Sequence, residues 1–315
     1  MKRILCGLLA ALLLFAAGAC SNSEKREGGE GKIKVVTTVF PPYDFTRAIA
    51  GDKADIAMLL PPGAESHSYE PSPQDMVRIE ECDVFIFVGG KSETWVRGVL
   101  DALDTKDKTI LALMDMVDVV EEEIVEGMEH DEDGGDDEHE YDEHVWTSPK
   151  NAAVIVQAIA EALCAVDKKN ADEYRAAAEA YLEELGKLDR TFEDIVAGGT
   201  RRTLVFGDRF PFRYFADAYG LHYFAAFPGC AEQTEPSAKT VRFLIDKVRQ
   251  ENIPVVFYIE MSSGKIADTI CEATGAKKRL LHSCHTVSRD DFLAGKTYLE
   301  LMAANAEALK EALSP

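Results

Sequence analysis

The sequence predicts an α/β fold of two similar lobes, each built on a mainly parallel four-stranded sheet, joined by one long backbone helix. Three observations predict it. Short apolar runs alternate with helical stretches from Lys32 to about Leu113, and the same rhythm returns after Thr203. Between the two stretches lies an unbroken helical period covering residues 171–197.

The first lobe places strands at 33–40, 55–60, 84–88 and 109–113. These are continuous apolar runs of the kind buried on both faces of a parallel sheet. Helices are expected at 43–50, 73–81 and 93–103. Ser72 before Pro73 supplies a capping hydroxyl and a first-turn proline. The second lobe repeats the plan, with strands at 203–206, 222–227, 255–260 and 278–281, helices at 237–251 and 265–274, and a closing helix at 300–313. A helix at 151–166 carries an apolar stripe of Val154, Ile155, Ile159 and Leu163. Asn170 followed by Glu173 reads as a capping-box variant opening the 171–197 helix, a rod on the order of 40 Å at about 1.5 Å per residue.

The N-terminus reads as an export signal. Lys2 and Arg3 precede an apolar run too short for a comfortable membrane span, and the run ends in Gly18, Ala19 and Cys20. Small residues before a cysteine resemble a bacterial lipobox with Cys20 as the lipidated residue; an ordinary secretory signal is the alternative. The expected division is a signal peptide at 1–19, a lipid-anchored polar tether at 20–31, a first lobe at 32–148, a helical linker at 149–199 and a second lobe at 200–315.

With 34 Lys and Arg against 56 Asp and Glu, the chain carries a net charge of −22, which argues against nucleic acid and anionic lipid surfaces as partners and suits a cation. Beyond Cys6 and Cys20 the cysteines are Cys82, Cys164, Cys230, Cys271 and Cys284, an odd and scattered set. It forms no disulfide framework and no CxxC module, so buried, inert thiols are expected. Residues 121–143 hold fourteen carboxylates with His130 and His139 and no Lys or Arg. This segment is expected to stay solvated and disordered, either as a solubilising insertion or as a low-affinity cation collector.

Three of the seven histidines sit where strands hand over to loops: His67 in PPGAESHSYEPSPQD, His144 in YDEHVWTSP and His285 in LHSCHTVS. Ligands of open α/β sheets lie at the carboxyl ends of strands, and neutral imidazole is the commonest metal ligand. Asp208 directly follows strand 203–206. Trp146 stands close enough in sequence to His144 to shield one side of an ion. Two ligands from each lobe would place the metal between them.

The motif at 61–75 fits the pattern PPG-x3-H-x-[FY]-EPSPxD. Together with HVWTSP at 144–149, EPSAKT at 235–240 and TYLELM at 297–302, it resembles the metal-binding lipoproteins of bacterial zinc and manganese ABC importers, over nearly the whole chain beyond Lys32. The resemblance implies two α/β lobes on a backbone helix and metal ligands at His67 and His144. It also implies an ABC permease as partner and an extracytoplasmic, lipid-anchored location, and a monomer is expected.

The chain departs from the family pattern twice. The histidine expected after the first strand of the second lobe is Gly207, and His285 stands where the family carries an aspartate. Asp208 is therefore taken as the remaining ligand, with His282, Cys284 and Glu260 in reserve. Imidazoles plus one carboxylate favour zinc, with manganese as the alternative cargo. A metal-dependent adhesin would share the same site. A secreted zinc hydrolase is disfavoured, because the sequence has no HExxH, no GxSxG and no phosphate-cradling glycine loop.

Overall fold

Parallel pairing of short apolar runs builds two sheets of one design. In the first, β1 (Ile33–Thr37), β2 (Ala54–Met58), β3 (Val84–Phe87) and β4 (Thr109–Ala112) lie in the order β2-β1-β3-β4. In the second, β5 (Thr203–Phe210), β6 (His222–Pro228), β7 (Val255–Tyr258) and β8 (Lys277–Leu280) repeat it as β6-β5-β7-β8. Every pairing within the two sheets is parallel. The structure, a computed structural model, describes residues 31–65, 69–128, 140–231 and 235–314. Cys20, His67, His130 and His139 lie outside the described residues.

Helices cross between the strands. They are α1 (Phe40–Ala50), α2 (Pro73–Glu81) and α3 (Thr94–Ala102) in the first lobe, and α6 (Arg213–Tyr219), α7 (Ala238–Gln250) and α8 (Lys265–Thr274) in the second. The first strand stops at Thr37 rather than at residue 40, because Pro41 and Pro42 occupy the opening turn of α1, where a missing N–H costs nothing. Ser72 caps α2 as expected, in a full capping box with Asp75. Two short helices, α6 and α9 (Arg289–Leu293), escaped the periodicity reading, each being too short to show a stripe.

Between the sheets run α4 (Pro149–Val166) and α5 (Ala171–Gly198), the latter 28 residues long. Its buried face is Tyr174, Ala178, Tyr181, Leu185, Leu188, Phe192 and Val196, spaced three and four apart. Asn170 does not cap it through its side chain. That amide donates instead to Asp167 Oδ2 at 2.6 Å, so the expected capping box is replaced by a tie to the preceding turn.

The helix packs against α4, α1 and the last helix, α10 (Tyr298–Leu313). The start of α10 is bolted to the first lobe: Tyr298 N donates to Asp44 Oδ2 at 2.7 Å and Tyr298 Oη to Trp146 O at 2.7 Å. Gly63 N donates to Val287 O at 2.8 Å, a second backbone tie between lobes. Residues Ile33–Pro315 thus form one compact unit, and the two sheets share a common core.

The acidic segment is ordered at both ends, contrary to the expectation of disorder throughout 121–143. Glu121 bridges Tyr141, and Glu122 N donates to Glu140 O at 2.7 Å. The carboxylates there find cations distant in sequence: Glu140 pairs with Lys91 at 3.3 Å, Glu123 with Arg213 at 3.5 Å and Glu126 with Lys247 at 3.6 Å. Asp142 and Glu143 are buried. Composition alone counts the charges and misses those partners.

Candidate metal centre

The loops leaving the carboxyl ends of the second sheet meet the first lobe around a cavity of about 20 Å³. That is enough for one or two water-sized species. Its wall includes Glu65 after β2, His144 ahead of α4, Arg209 at the end of β5, Glu260 after β7, and Ser283 and His285 after β8. β5 and β7 bracket the point where the strand order reverses, the usual ligand position in such sheets.

His144 is set by the turn that opens α4. The 3₁₀ turn Val145–Thr147 follows it, with Thr147 Oγ1 donating to His144 O at 2.8 Å. Asp142 Oδ1 accepts from His144 N at 2.7 Å and lies 3.0 Å from Nδ1. Asp142 is itself fixed, its carbonyl accepting from Tyr214 Oη at 2.7 Å. Glu143 accepts from Ser92 N at 2.8 Å and from the Ser92 hydroxyl. Burial pushes the His144 imidazole toward the neutral form, but the charge and hydrogen bond of Asp142, followed by Glu143 and Glu122, outweigh it and hold its pKa above the ordinary histidine value.

His285 comes from the second lobe, and its ring centroid lies 5.0 Å from that of His144. Trp146 stands edge-on to both, at 5.7 Å from His144 and 5.0 Å from His285. The indole is fully buried, and its Nε1 donates to Ser283 O at 2.8 Å, so the shielding ring expected from HVWTSP also clamps the His285 loop. Glu260 Oε1 accepts from Ser283 Oγ at 2.5 Å and Oε2 from Ser283 N at 2.8 Å, which draws the ends of β7 and β8 together.

The other expected ligands are placed differently. Asp208 does not line the cavity: Oδ1 accepts from Arg209 N at 2.9 Å and Oδ2 from Ile259 N at 3.5 Å, and burial raises its pKa. The strand runs on through Gly207 and Asp208 to Phe210, with a register shift between Phe206 and Arg209, instead of ending at 206. Such a bulge re-aims side chains, and it turns Arg209 to the cavity. Gly207 has no room for the family's histidine, since a Cβ there would meet Ala267 N at 2.5 Å. His282 faces inward, its Nδ1 accepting from Cys284 N at 3.0 Å, and Cys284 is fully buried with its thiol pushed up by that burial. Neither lines the cavity.

Among the described residues no three His, Cys, Asp or Glu converge closely enough to hold a metal ion. They contribute two imidazoles from two lobes, His144 and His285. Sequence reasoning missed Asp142, Glu65 and Arg209. Only Asp142 left a signal, as a carboxylate two residues before a candidate ligand.

Comparison with known proteins agrees with this architecture. The model of the ZnuA family, described as the periplasmic component A of the zinc-uptake complex, matches residues 35–312. The zinc-binding lipoprotein AdcA of Streptococcus pneumoniae is 36% identical over 307 residues, covering 96% of this chain; the chain spans 60% of that relative's length. The high-affinity zinc uptake system protein ZnuA of Bacillus subtilis is 30% identical over 309 residues, covering 97% of this chain and 96% of that protein. The solved Zn(II)-bound ZnuA-like domain of S. pneumoniae AdcA matches with a TM-score of 0.75 at 30% identity, covering 90% of this chain and 100% of the domain.

Proposed function

The chain belongs to the ZnuA family, and on that premise we propose that it captures a zinc ion outside the cytoplasm and hands it to the permease of an ABC importer. The observation that carries this reading is the meeting of His144 and His285, from different lobes, at 5.0 Å beside an ion-sized cavity. His67 is the third imidazole. Glu260 replaces Asp208 as the oxygen donor of the second lobe, because it stands on the cavity wall while the Asp208 carboxylate is turned to Ile259 N. Three imidazoles favour zinc over manganese, which prefers more oxygen.

The protein acts as a carrier and not as a catalyst. The cavity of about 20 Å³ beside His144 and His285 suits an ion-sized guest. Lipidation at Cys20 would anchor a monomer to the membrane surface within reach of the permease. Calorimetric titration of the metal-free protein with zinc tests the capture step: one tight equivalent supports it, and its absence removes it. Growth of a deletion strain under zinc chelation, restored by the wild-type gene, tests delivery.

A further inference from the structure

Arg209 brings a fixed cation to the wall of the cavity that His144 and His285 line. Its guanidinium is held from both lobes. Nη2 donates to Glu65 Oε2 at 3.1 Å in the first lobe, and Nη1 to Ala231 O at 3.3 Å beyond β6. The Arg209 side chain is 12% exposed and that of Glu65 is 44% exposed. Glu65 lines the same cavity and lies two residues before His67 in the chain.

We propose that Arg209, paired with Glu65, is an affinity-limiting residue of the metal site: a resident cation at the cavity mouth that an entering divalent ion must displace or repel. The proposal rests on the zinc-capture reading above. A guanidinium is a fixed cation, so it opposes an entering divalent metal. Like charges sharing a small, partly desolvated space repel far more than they do in water. The pairing also engages the Glu65 carboxylate, which otherwise would favour the incoming charge. A carrier must release its cargo as well as bind it, and a built-in opposing charge weakens the hold of His144 and His285 enough to allow release. The bland alternative is an interlobe brace, and an ion pair with one partner this exposed contributes little to stability.

The test uses the full chain, with zinc affinity from competition against a chelator and release rates from stopped flow, for the wild type and the variants Arg209→Gln, Arg209→Lys and Glu65→Gln. Arg209→Gln is expected to bind zinc about tenfold tighter and release it correspondingly more slowly. Arg209→Lys keeps the charge and should stay within about twofold of wild type. Glu65→Gln leaves the guanidinium without that counter-charge and should bind several-fold more weakly. If the Gln variant fails to fold, Arg209→Met retains the packing of the aliphatic stem and carries the same expectation. Unchanged affinity and release in Arg209→Gln, with only a lowered melting temperature, reduces the pair to a brace and overturns the proposal. Weaker zinc binding in that variant overturns it too, by making Arg209 an organiser of the site. A wild type that binds no zinc ends the capture reading itself, a result distinct from either.

Discussion

One oxygen, Asp142 Oδ1, accepts from the backbone N–H of His144 at 2.7 Å and stands 3.0 Å from its Nδ1, both side chains being 1% exposed. A carboxylate at that distance fixes the proton on Nδ1 and leaves Nε2 as the nitrogen with a lone pair to give. Asp142 therefore orients the imidazole proposed as a ligand. Asp142→Asn is expected to weaken zinc binding by about 10- to 100-fold while leaving the far-ultraviolet dichroism unchanged. Calorimetry on the variant checks it, and wild-type affinity would show that the ring needs no such support.

The same carboxylates set the pH response. Burial lowers the His144 pKa, but Asp142, Glu143 and Glu122 together raise it above the ordinary value near 6.5. Zinc binds the neutral imidazole, so protons compete at a higher pH than for an exposed histidine. Affinity is expected to begin falling above pH 6.5 as the solution is acidified, and Asp142→Asn should move that onset downward. For the metal-free protein the sign reverses. A raised histidine pKa contributes stability that is present below the unfolded value and lost as pH rises through the folded one. Titrations of zinc affinity and of apo unfolding, run over pH 5 to 8, should therefore slope in opposite directions from this group; parallel slopes would sink the assignment.

The two-lobed plan was readable because period and composition carry it. Continuous apolar runs such as VFIF at Val84–Phe87 become buried parallel strands, and the three- and four-residue spacing from Tyr174 to Val196 becomes the buried face of α5. His285 was legible as a histidine just past a strand and His144 through its HVWTSP motif, although His144 sits ahead of the turn into α4 and not at a strand end. The exchange of Asp208 for Arg209 was not, because it depends on a bulge at Gly207–Asp208 that a local pattern does not encode. The ordered ends of the acidic segment were missed for a related reason. Asp142 and Glu143 look like more of a solvated run until Tyr214 and Ser92, far away in sequence, are seen to hold them.

Single substitutions separate the donors. Alanine at His67, His144 or His285 should each weaken zinc binding at least tenfold, about 1.4 kcal/mol. Glu260→Gln should cost more than Asp208→Asn, since Glu260 lines the cavity and Asp208 does not. His285→Asp substitutes oxygen for nitrogen and should shift the zinc-to-manganese preference toward manganese. Equal losses for the two carboxylate variants would return Asp208 to the ligand set.

Glu93 is a buried acid next to this machinery, lining a second small cavity with His285. Its Oε2 accepts from Val88 N at 2.6 Å and Gly89 N at 3.1 Å. Burial nevertheless pushes its pKa up to about 7, with the charge of Glu143 adding to the rise. A raised carboxyl pKa gives stability that is present below the unfolded value and lost as pH climbs through the folded one. Glu93→Gln stays neutral and keeps an acceptor for the two N–H groups. The variant should gain on wild type between pH 5 and pH 8, by an amount on the order of 2–3 kcal/mol. Urea unfolding of both proteins at several pH values measures the gap, and a gap that stays constant with pH would mean that Glu93 remains ionised throughout.

Residues 129–139 hold seven carboxylates together with His130 and His139, and the chain on either side comes together without them. Glu122 N reaches Glu140 O at 2.7 Å and Asp142 N reaches Val120 O at 3.0 Å, so the two flanks run side by side just ahead of His144. Replacing 129–139 by a Gly/Ser linker keeps those bonds, and loop entropy depends only weakly on length. The tight zinc equivalent is expected to survive within about twofold, because the Asp142–His144 geometry is fixed by Tyr214, Val120 and the turn into α4. Weaker equivalents attributable to His130, His139 and the carboxylates should disappear from the calorimetric trace. Losing the tight equivalent as well would place His130 or His139 in the primary site.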